Sequence, residues 1–390
     1  MPIRSDATRP ARRQATISRR TAFVGLGSVA LALALPGCSS TEGGPALPKL
    51  RVGTVPWAGW SPLDVAKAKG FFEAEGLDVE VVNFEAGGDT KLTDAIADGS
   101  VDCGFYMQGT LLTYAMQRKS PIVFLGEVDW SYGGDQIIVR PPVEAAIEAI
   151  RAKKKKVGTY SSAASNMLLL DYYFRDTSLH AGWSLDVTTT DVVERSATEL
   201  VDTYLSGEDA VSLNADPDSK PQIEAGGEVV ATSATYPGIL AEGLMANRER
   251  YVTVGPDAYK KLFSGWIQAV RYMYGADHKR NTLDLAHRDE VLDLVSQGTF
   301  LGNVTTDEAS GYLGNVRIHS LSKLETVNLD KREDVLLAEY GTKGLQPLRS
   351  HIREVAAFVK RTDPKADDFD LAKGIDTGPL EAAISELKAR

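Results

Sequence analysis

A chain of 390 residues is long enough for two domains of ordinary size or one large α/β domain, so a substantial buried core is possible. Its composition is globular, with 43% hydrophobic and 25% charged residues and no low-complexity tract. The net charge of −10 argues against nucleic acid as a partner, because phosphate binding requires a basic surface.

The N-terminal 37 residues have the pattern of an export signal. They contain six arginines, one aspartate and no lysine, and they include the apolar run "AFVGLGSVALALAL". That run is too short for a membrane-spanning helix of about 20 residues and suits the core of a signal peptide. Arg19-Arg20 leaves twin-arginine and Sec export open, and an uncleaved membrane anchor is the remaining alternative. Each interpretation places the folded body outside the cytoplasm, and cleavage takes its net charge to −15.

The sequence "LPGCSS" follows and resembles a bacterial lipobox, which implies that Cys38 is lipidated and becomes the first residue of the mature protein. Residues 38–48 are rich in Ser, Gly and Pro and predict a flexible tether. Cys103 is the other cysteine, so with Cys38 lipidated no internal disulfide forms. Two distant cysteines without paired histidines do not have zinc-site spacing. We expect neither a metal nor a cofactor.

From Leu50 the chain alternates between strands and helices. The segments "LRVGTV", "LDVEVVNF", "VDCGFYM" and "PIVFLGEV" have the apolar patterns of strands, and amphipathic segments such as "SPLDVAKAKGFFEAEG" separate them. This spacing predicts a parallel sheet covered by helices. Cys103 lies in an apolar strand and is interpreted as a small core residue.

A second α/β series begins after "QIIVRPP", whose two prolines cannot continue a central strand. Its predicted strands are "KVGTY", "LDVTTTDVV", "DAVSLN" and "GEVVATS", and mainly helical sequence follows to the C-terminus. The pattern predicts an α/β protein with lobe one at residues 49–138 plus 240–390 and lobe two at 139–239.

Several blocks together resemble one family: "PWAGWSPLDVAKAKGFFEAEGLDVEVVNFEAGGD", "ADGSVDCGFYM", "DWSYGGDQIIV", "KKVGTYSSAASNMLLL" and "GGEVVATSATYPGIL". They resemble the extracytoplasmic solute-binding proteins of ABC importers of the nitrate, sulfonate and taurine type, which share a fold with THI5-like pyrimidine-binding proteins. The resemblance implies a two-lobed, type II periplasmic-binding-protein-like fold, each lobe a mainly parallel sheet flanked by helices. It also implies that the lobes close on a small molecule and that the loaded protein docks onto an ABC permease with its ATPase. With the lipobox at Cys38, we expect a lipid-anchored monomer.

In open parallel sheets, ligands bind beyond the carboxyl ends of the strands. Trp57 and Trp60 follow the first strand and offer flat apolar contact to a ligand, with packing as core aromatics as the alternative. Further candidates stand at equivalent positions: Tyr106, Gln108, Trp130, Tyr132, Ser161, Ser162, Ser165, Asn214 and Tyr236. Ser161 and Ser162 also suit helix capping, and Tyr236 also suits hinge packing. Asp129 is open to pairing with a cationic ligand or to a structural hydrogen bond.

The residue types at the ends of the predicted strands limit the class of ligand that we expect the chain to bind. Where the resembled family commonly has an aromatic and an acid in a "WEPY"-like segment, this chain has Leu213 and Asn214, which indicates a different ligand. Aromatic walls with neutral donors favour a sulfonate, a pyrimidine or an aromatic carboxylate. Nitrate is less favoured, because Lys91 is the one basic residue near the strand ends and is interpreted as solvated.

An enzyme is not indicated by the motifs. The chain has no G-x-S-x-G elbow, no H-E-x-x-H and no P-loop, and its five histidines are scattered. The prediction is therefore a binding protein that delivers its ligand to an importer. A ligand-sensing or interaction lipoprotein of the same fold is the first alternative, and a THI5-like enzyme is the second.

Overall fold

The predicted alternation of strands and helices is present in the structure, a computed structural model that describes residues 47–84, 89–176, 184–276, 278–279, 281–329 and 348–390. The predicted signal peptide, Cys38, most of the tether and His180 lie outside the described residues. Within the described part of the chain, no helix combines the length and the apolar character needed to cross a membrane.

The strands form two five-stranded sheets. The first sheet contains β1 (Lys49–Thr54), β2 (Asp78–Asn83), β3 (Cys103–Met107), β4 (Ile122–Trp130) and β10 (Ala241–Asn247). The second contains β5 (Asp135–Val139), β6 (Lys156–Thr159), β7 (Val192–Glu194), β8 (Asp209–Ala215) and β9 (Glu228–Thr232). Because the chain passes from one sheet to the other and returns, the two-lobed α/β architecture is confirmed.

Both sheets have the same topology. Their strand orders are β2-β1-β3-β10-β4 and β7-β6-β8-β5-β9. In each sheet four strands run in one direction, while β10 or β5 pairs antiparallel with both of its neighbours. The reversed strand is the one that arrives from the other lobe. Each sheet is therefore mixed, and the expected mainly parallel arrangement holds for the other four strands.

The crossings between the sheets lie at residues 131–134 and 233–240. Strand β5 belongs to the second sheet, so the chain crosses a few residues before the predicted boundary at 138/139. The hydroxyls of Ser131 and Ser233 lie 2.8 Å apart and join the two crossings, and the amide of Gly133 donates to Ser233 Oγ at 2.7 Å. These bonds fix the two crossings side by side.

Helices cover the faces of both sheets. In chain order they are α1 (Ser61–Ala68), α2 (Phe71–Ala74), α3 (Asp89–Ala97), α4 (Gln108–Arg118), α5 (Val143–Arg151), α6 (Ala164–Arg175), α7 (Ala197–Ser206), α8 (Lys220–Glu224), α9 (Arg248–Val254), α10 (Pro256–Tyr274), α11 (Arg288–Leu294), α12 (Thr306–Gly314), α13 (Leu321–Asn328), α14 (Leu348–Thr362), α15 (Leu371–Gly374) and α16 (Gly378–Ala389). The described residues also include a 3₁₀ turn at Ala58–Trp60 and a π-helical turn at Val295–Thr299. Capping boxes begin α7 and α12, where Ser196 pairs with Glu199 and Thr305 with Glu308.

The core of the first lobe is closed by the C-terminal half of the chain. Helix α10 packs against α1, α2 and α16, and Trp266 stacks on Phe105 of β3 with ring centroids 4.5 Å apart. Cys103 is fully buried in the same strand, as predicted for a small core residue. The long helical segment after β10 therefore belongs to lobe one.

Helix α6 of lobe two also docks onto lobe one. The amide of Ala164 donates to Thr113 Oγ1 at 3.0 Å, and the amide of Thr110 donates to Ser165 Oγ at 3.0 Å. At the other end of α6, the hydroxyl of Tyr172 donates to Glu354 of α14 at 2.6 Å. The two lobes thus contact each other through side chains beside the two crossings.

Candidate functional site

A cleft with a volume of about 810 Å³ lies where the carboxyl ends of the parallel strands of both sheets face each other. Its size is within the range of pockets that hold small organic ligands. Lobe one contributes Val55, Pro56, Trp57, Trp60, Asn83, Phe84, Tyr106, Met107, Glu242, Phe300, Leu301, Asn303 and Val304. Lobe two contributes Asp135, Tyr160, Glu194, Arg195, Ser196, Ala197, Glu199, Asn214, Ala215, Asp216, Pro217 and Asp218. The cleft is therefore a site built by both lobes.

Aromatic side chains form the lobe-one wall. The ring centroids of Trp57 and Trp60 lie 6.4 Å apart, and those of Trp60 and Tyr106 lie 5.6 Å apart. The 3₁₀ turn after β1 brings the backbone close to β4, since a Cβ at Gly59 would lie 1.9 Å from Asp129 Oδ2. Trp60 is only 3% exposed yet lines the cleft, so it serves both the core and the wall.

The two reversed strands each bring one buried carboxylate to the cleft. Asp135 is the first residue of β5 and Glu242 is the second residue of β10, and each is 2% exposed. Tyr160 donates its hydroxyl hydrogen to Asp135 Oδ1. The side chain of Glu242 lies within hydrogen-bonding reach of the carboxyl of Asp129 and the indole of Trp57. Asp135 and Glu242 form the floor of the cleft, and both acidic groups are nearly shielded from water.

Burial controls the protonation of these groups. Burial raises the pKa of Asp135 to about 6, against the opposing effect of hydrogen bonds from Ser131 and Tyr160. Burial, followed by the charge of the adjacent Asp129, holds the pKa of Glu242 well above its usual range. Burial also raises the pKa of Asp129. Removal from water disfavours the charged form, so these carboxyls hold protons at higher pH than exposed ones.

The lobe-two wall is polar. Asn214 lines the cleft, and its amide is held by the protein: Nδ2 donates to Gln222 Oε1 at 2.9 Å and to the carbonyl of Asp218 at 3.0 Å. Arg195 is paired with Asp209 at 2.7 Å and with Glu208 at 2.8 Å. The guanidinium of the basic lining residue is thus already bound to two carboxylates.

The structure brings together four of the eleven predicted ligand residues: Trp57, Trp60, Tyr106 and Asn214 line the cleft. The other seven predicted residues do not line the cleft, and their side chains contact other protein groups. Three of these belong to lobe one. Gln108 is fully buried with Nε2 3.5 Å from Glu127 Oε2, Trp130 packs edge-on against His319, and Tyr132 carries the guanidinium of Arg317 at 3.7 Å from its ring centre.

The remaining four come from lobe two and the return crossing. Ser161 Oγ accepts from the amide of Ala163 at 3.3 Å, so it has a local role at the start of α6. Ser162 is exposed and donates to Glu194 Oε2 at 2.5 Å. Ser165 joins the lobes through Thr110, and the hydroxyl of Tyr236 donates to Asp176 at 3.1 Å. These placements do not support the neutral-donor cradle expected at the start of α6.

Most of the other lining residues were not predicted from the sequence, and two groups of them are instructive. The carboxylates Asp135 and Glu242 stand at the amino ends of reversed strands, whereas the predicted ligand residues follow the carboxyl ends of strands. A single acid within the apolar segments "DQIIV" and "AEGLM" is the signal that identifies them. The second group, Phe300–Val304, follows a π-helical turn and has no pattern that marks it as a lining segment.

With the geometry in view, comparison with known proteins identifies the family. The sequence profile of the NMT1-like family matches residues 43–287. The chain belongs to the NMT1-like family. A protein named YtlA from Bacillus subtilis (strain 168) is 32% identical over 126 residues, which are 32% of this chain and 36% of that protein. The chain spans 36% and 41% of the length of the first curated relatives that it matches.

Two solved structures have the same fold. The periplasmic nitrate-binding protein NrtA from Synechocystis PCC 6803 superimposes with a TM-score of 0.59 at 14% identity, covering 88% of this chain and 90% of that one. The periplasmic aliphatic sulphonate binding protein SsuA from Escherichia coli superimposes with a TM-score of 0.56 at 16% identity, covering 84% and 92%. At these identities the likeness establishes the periplasmic-binding-protein fold.

Proposed function

We propose that this NMT1-like protein is the extracytoplasmic solute-binding component of an ABC importer. It captures a small organic molecule between its two lobes and delivers it to a permease with its ATPase. The observation that carries the proposal is the cleft that the strand ends of both sheets line together. Family membership and the fold shared with nitrate-binding and sulphonate-binding proteins support it.

Capture follows from the placement of the lining residues. Because the cleft walls come from different lobes, a ligand that contacts both is bound more tightly when the lobes are closed, and closure is favoured by that difference in affinity. The side-chain bonds of Ser131 with Ser233 lie where the two crossings are joined, and they form the pivot for such a motion. The ligand is released unchanged, so the protein acts as a carrier and not as an enzyme.

The anchor completes the proposed arrangement. Lipidated Cys38 and a tether over residues 38–48 hold a monomeric body at the outer face of a membrane, close to its permease. Replacement of Cys38 by Ser is expected to move the protein from the membrane fraction to the soluble fraction without changing ligand affinity. Retention of the Cys38→Ser protein in the membrane fraction would contradict the lipid anchor.

A thermal-shift screen of the purified full-length chain tests the binding function. The panel contains sulfonates, pyrimidines, aromatic carboxylates, amines and nitrate. A ligand present at 100 times its dissociation constant adds about 2.7 kcal/mol to the free energy of unfolding, which raises the melting temperature measurably. A hit in one class supports solute capture, and silence across the panel favours the sensing or interaction lipoprotein.

A further inference from the structure

The charges around the cleft are unbalanced. Among the described lining residues there is one basic side chain, Arg195, and there are six acidic ones: Asp135, Glu194, Glu199, Asp216, Asp218 and Glu242. Arg195 is bound to Asp209 and Glu208 and is 13% exposed at its side chain, so its charge is already compensated. A cleft lined by one sign of charge focuses the potential and attracts ligands of the opposite sign.

Glu242 is a buried acid of the cleft whose neighbours do not neutralise its charge. It is 2% exposed and lines the cleft, and the groups close enough to hydrogen-bond with it are the carboxyl of Asp129 and the indole of Trp57. The charged groups that act on it are Asp129 and Asp135, which are also acids, and its polar neighbour is the indole of Trp57. Two adjoining buried carboxyls are poorly stabilised in their ionised forms, so the group that suits this position best brings positive charge and hydrogen-bond donors.

Aromatic rings stand beside this carboxylate. In lobe one, Trp57 lies against Glu242, and its ring centroid is 6.4 Å from that of Trp60. In lobe two, Tyr160 contacts Asp135. The faces of tryptophan and tyrosine attract cations, most strongly where water is excluded. Carboxylates and aromatic rings at the same end of the cleft form a combined receptor for a cation with an apolar part.

We propose that the cleft, acting in the proposed solute-binding function, selects an organic cation. An ammonium, amidinium or guanidinium nitrogen pairs with Glu242 and Asp135, while the apolar part of the ligand lies against Trp57 and Trp60. A sulfonate or an aromatic carboxylate would instead place a negative charge among the six acids. A bare metal ion is not favoured, because no group of three metal-ligating side chains occurs among the residues described and the cleft is far larger than an ion.

Proton release distinguishes a cation from an anion in this cleft. The titratable groups that face the floor are Asp129 from β4, Asp135 and Tyr160 from lobe two, Glu242 from β10, and Asp216 after β8. Burial raises the pKa of each of these carboxyls. A cation favours the ionised carboxylates, so its binding releases protons and its affinity rises between pH 5.5 and pH 8. An anion shows the opposite dependence.

Matched probes test the inference on the purified full-length chain by titration calorimetry. Each of several aromatic and aliphatic scaffolds is offered with an ammonium, a hydroxyl or a sulfonate head, for example 2-phenylethylammonium, 2-phenylethanol and 2-phenylethanesulfonate. Glu242→Gln and Asp135→Asn are the test variants, and Glu144→Gln, an exposed acid on α5, is the control. We expect the ammonium member to bind tightest, and each test variant to weaken it by about 10- to 100-fold, as for loss of a charge-assisted hydrogen bond.

The outcomes separate this inference from the proposed function. Tighter binding of a hydroxyl or sulfonate member, or unchanged ammonium affinity in both Glu242→Gln and Asp135→Asn, overturns the selection of a cation and leaves solute capture standing. Ammonium binding that takes up protons also overturns it. If no member of any charge class binds, solute capture itself is contradicted, and the inference fails with it.

Discussion

The two sheets repeat one strand order, but the corresponding strand ends carry different chemistry. After β1 lobe one presents Trp57 and Trp60, whereas after β6 lobe two presents Tyr160 and a hydroxyl-rich turn. The reversed strands, in contrast, are alike, since each brings a buried carboxylate to the cleft. The repeated topology therefore determines which strand ends face each other across the cleft. The side chains at those ends determine what the cleft binds.

The largest expected change in stability concerns the lobe-one wall, because its aromatic side chains also belong to the hydrophobic core. Replacement of Trp60, which is 3% exposed, by Ala is expected to lower the free energy of unfolding by about 3–5 kcal/mol, because it empties a packed site. Tyr160→Ala at the half-buried lobe-two position is expected to cost less than half as much. Urea unfolding measures both. Equal losses of unfolding free energy in the two variants would contradict this difference in packing between the lobe-one and lobe-two walls.

The second largest change in stability is expected where Trp57 closely approaches the crossing at residues 131–134. A Cβ at Gly134 would lie 2.5 Å from Trp57 Cη2, so Gly134→Ala is expected to displace the indole and cost about 1–3 kcal/mol. Gly311 on α12 has open space around its Cβ position, so Gly311→Ala is the matched control and is expected to be neutral or stabilising. Melting temperatures of the two variants check this difference, and a harmless Gly134→Ala contradicts the contact.

Two buried acids, one in each lobe, differ in whether a basic side chain compensates their charge. Asp209 of lobe two is paired with Arg195, whereas burial raises the pKa of Glu127 in lobe one to about 8. The folded chain then holds a proton that the unfolded chain has released, so stability falls as the pH rises from 6.5 to 8. The slope for one such group is about 1.4 kcal/mol per pH unit at most. Glu127→Gln is expected to flatten this dependence in thermal unfolding, and an unchanged slope contradicts the assignment.

The smallest expected effect concerns the contact between lobes. Ser165→Ala removes the acceptor for the Thr110 amide and is expected to cost about 1 kcal/mol, as for one buried hydrogen bond. Ser162→Ala, at an exposed position on the same turn, is expected to cost less than about 0.5 kcal/mol. Denaturant midpoints measure the pair. A larger loss for Ser162→Ala than for Ser165→Ala would reverse the assigned roles.

Much of the architecture was accessible from the sequence because it depends on local pattern. Alternating strands and helices predicted two α/β lobes, and the rule that ligands lie beyond strand carboxyl ends located Trp57, Trp60 and Tyr106. Trp130 also ends a strand but does not line the cleft, because its ring packs against His319 from a distant segment. The position of a residue at the end of a strand therefore does not determine whether its side chain lines the cleft.

The acidic character of the cleft depended on information that the local pattern lacks. Asp135 and Glu242 are 107 positions apart and meet because both lie near the start of a reversed strand. The reversal arises from the passage of the chain between lobes, which a strand-by-strand reading does not register. The sequence pattern predicts Ser161, Ser162 and Ser165 as neutral donors to a ligand, whereas in the structure their hydroxyls form hydrogen bonds with protein groups.

A crystal structure with the tightest organic cation from the matched probes tests the central claim most directly. We predict ligand density between the lobes, with its nitrogen within hydrogen-bond distance of the carboxylates of Glu242 and Asp135 and its apolar part against Trp60. Density outside the cleft, or a ligand whose nitrogen faces away from both carboxylates, would contradict the account.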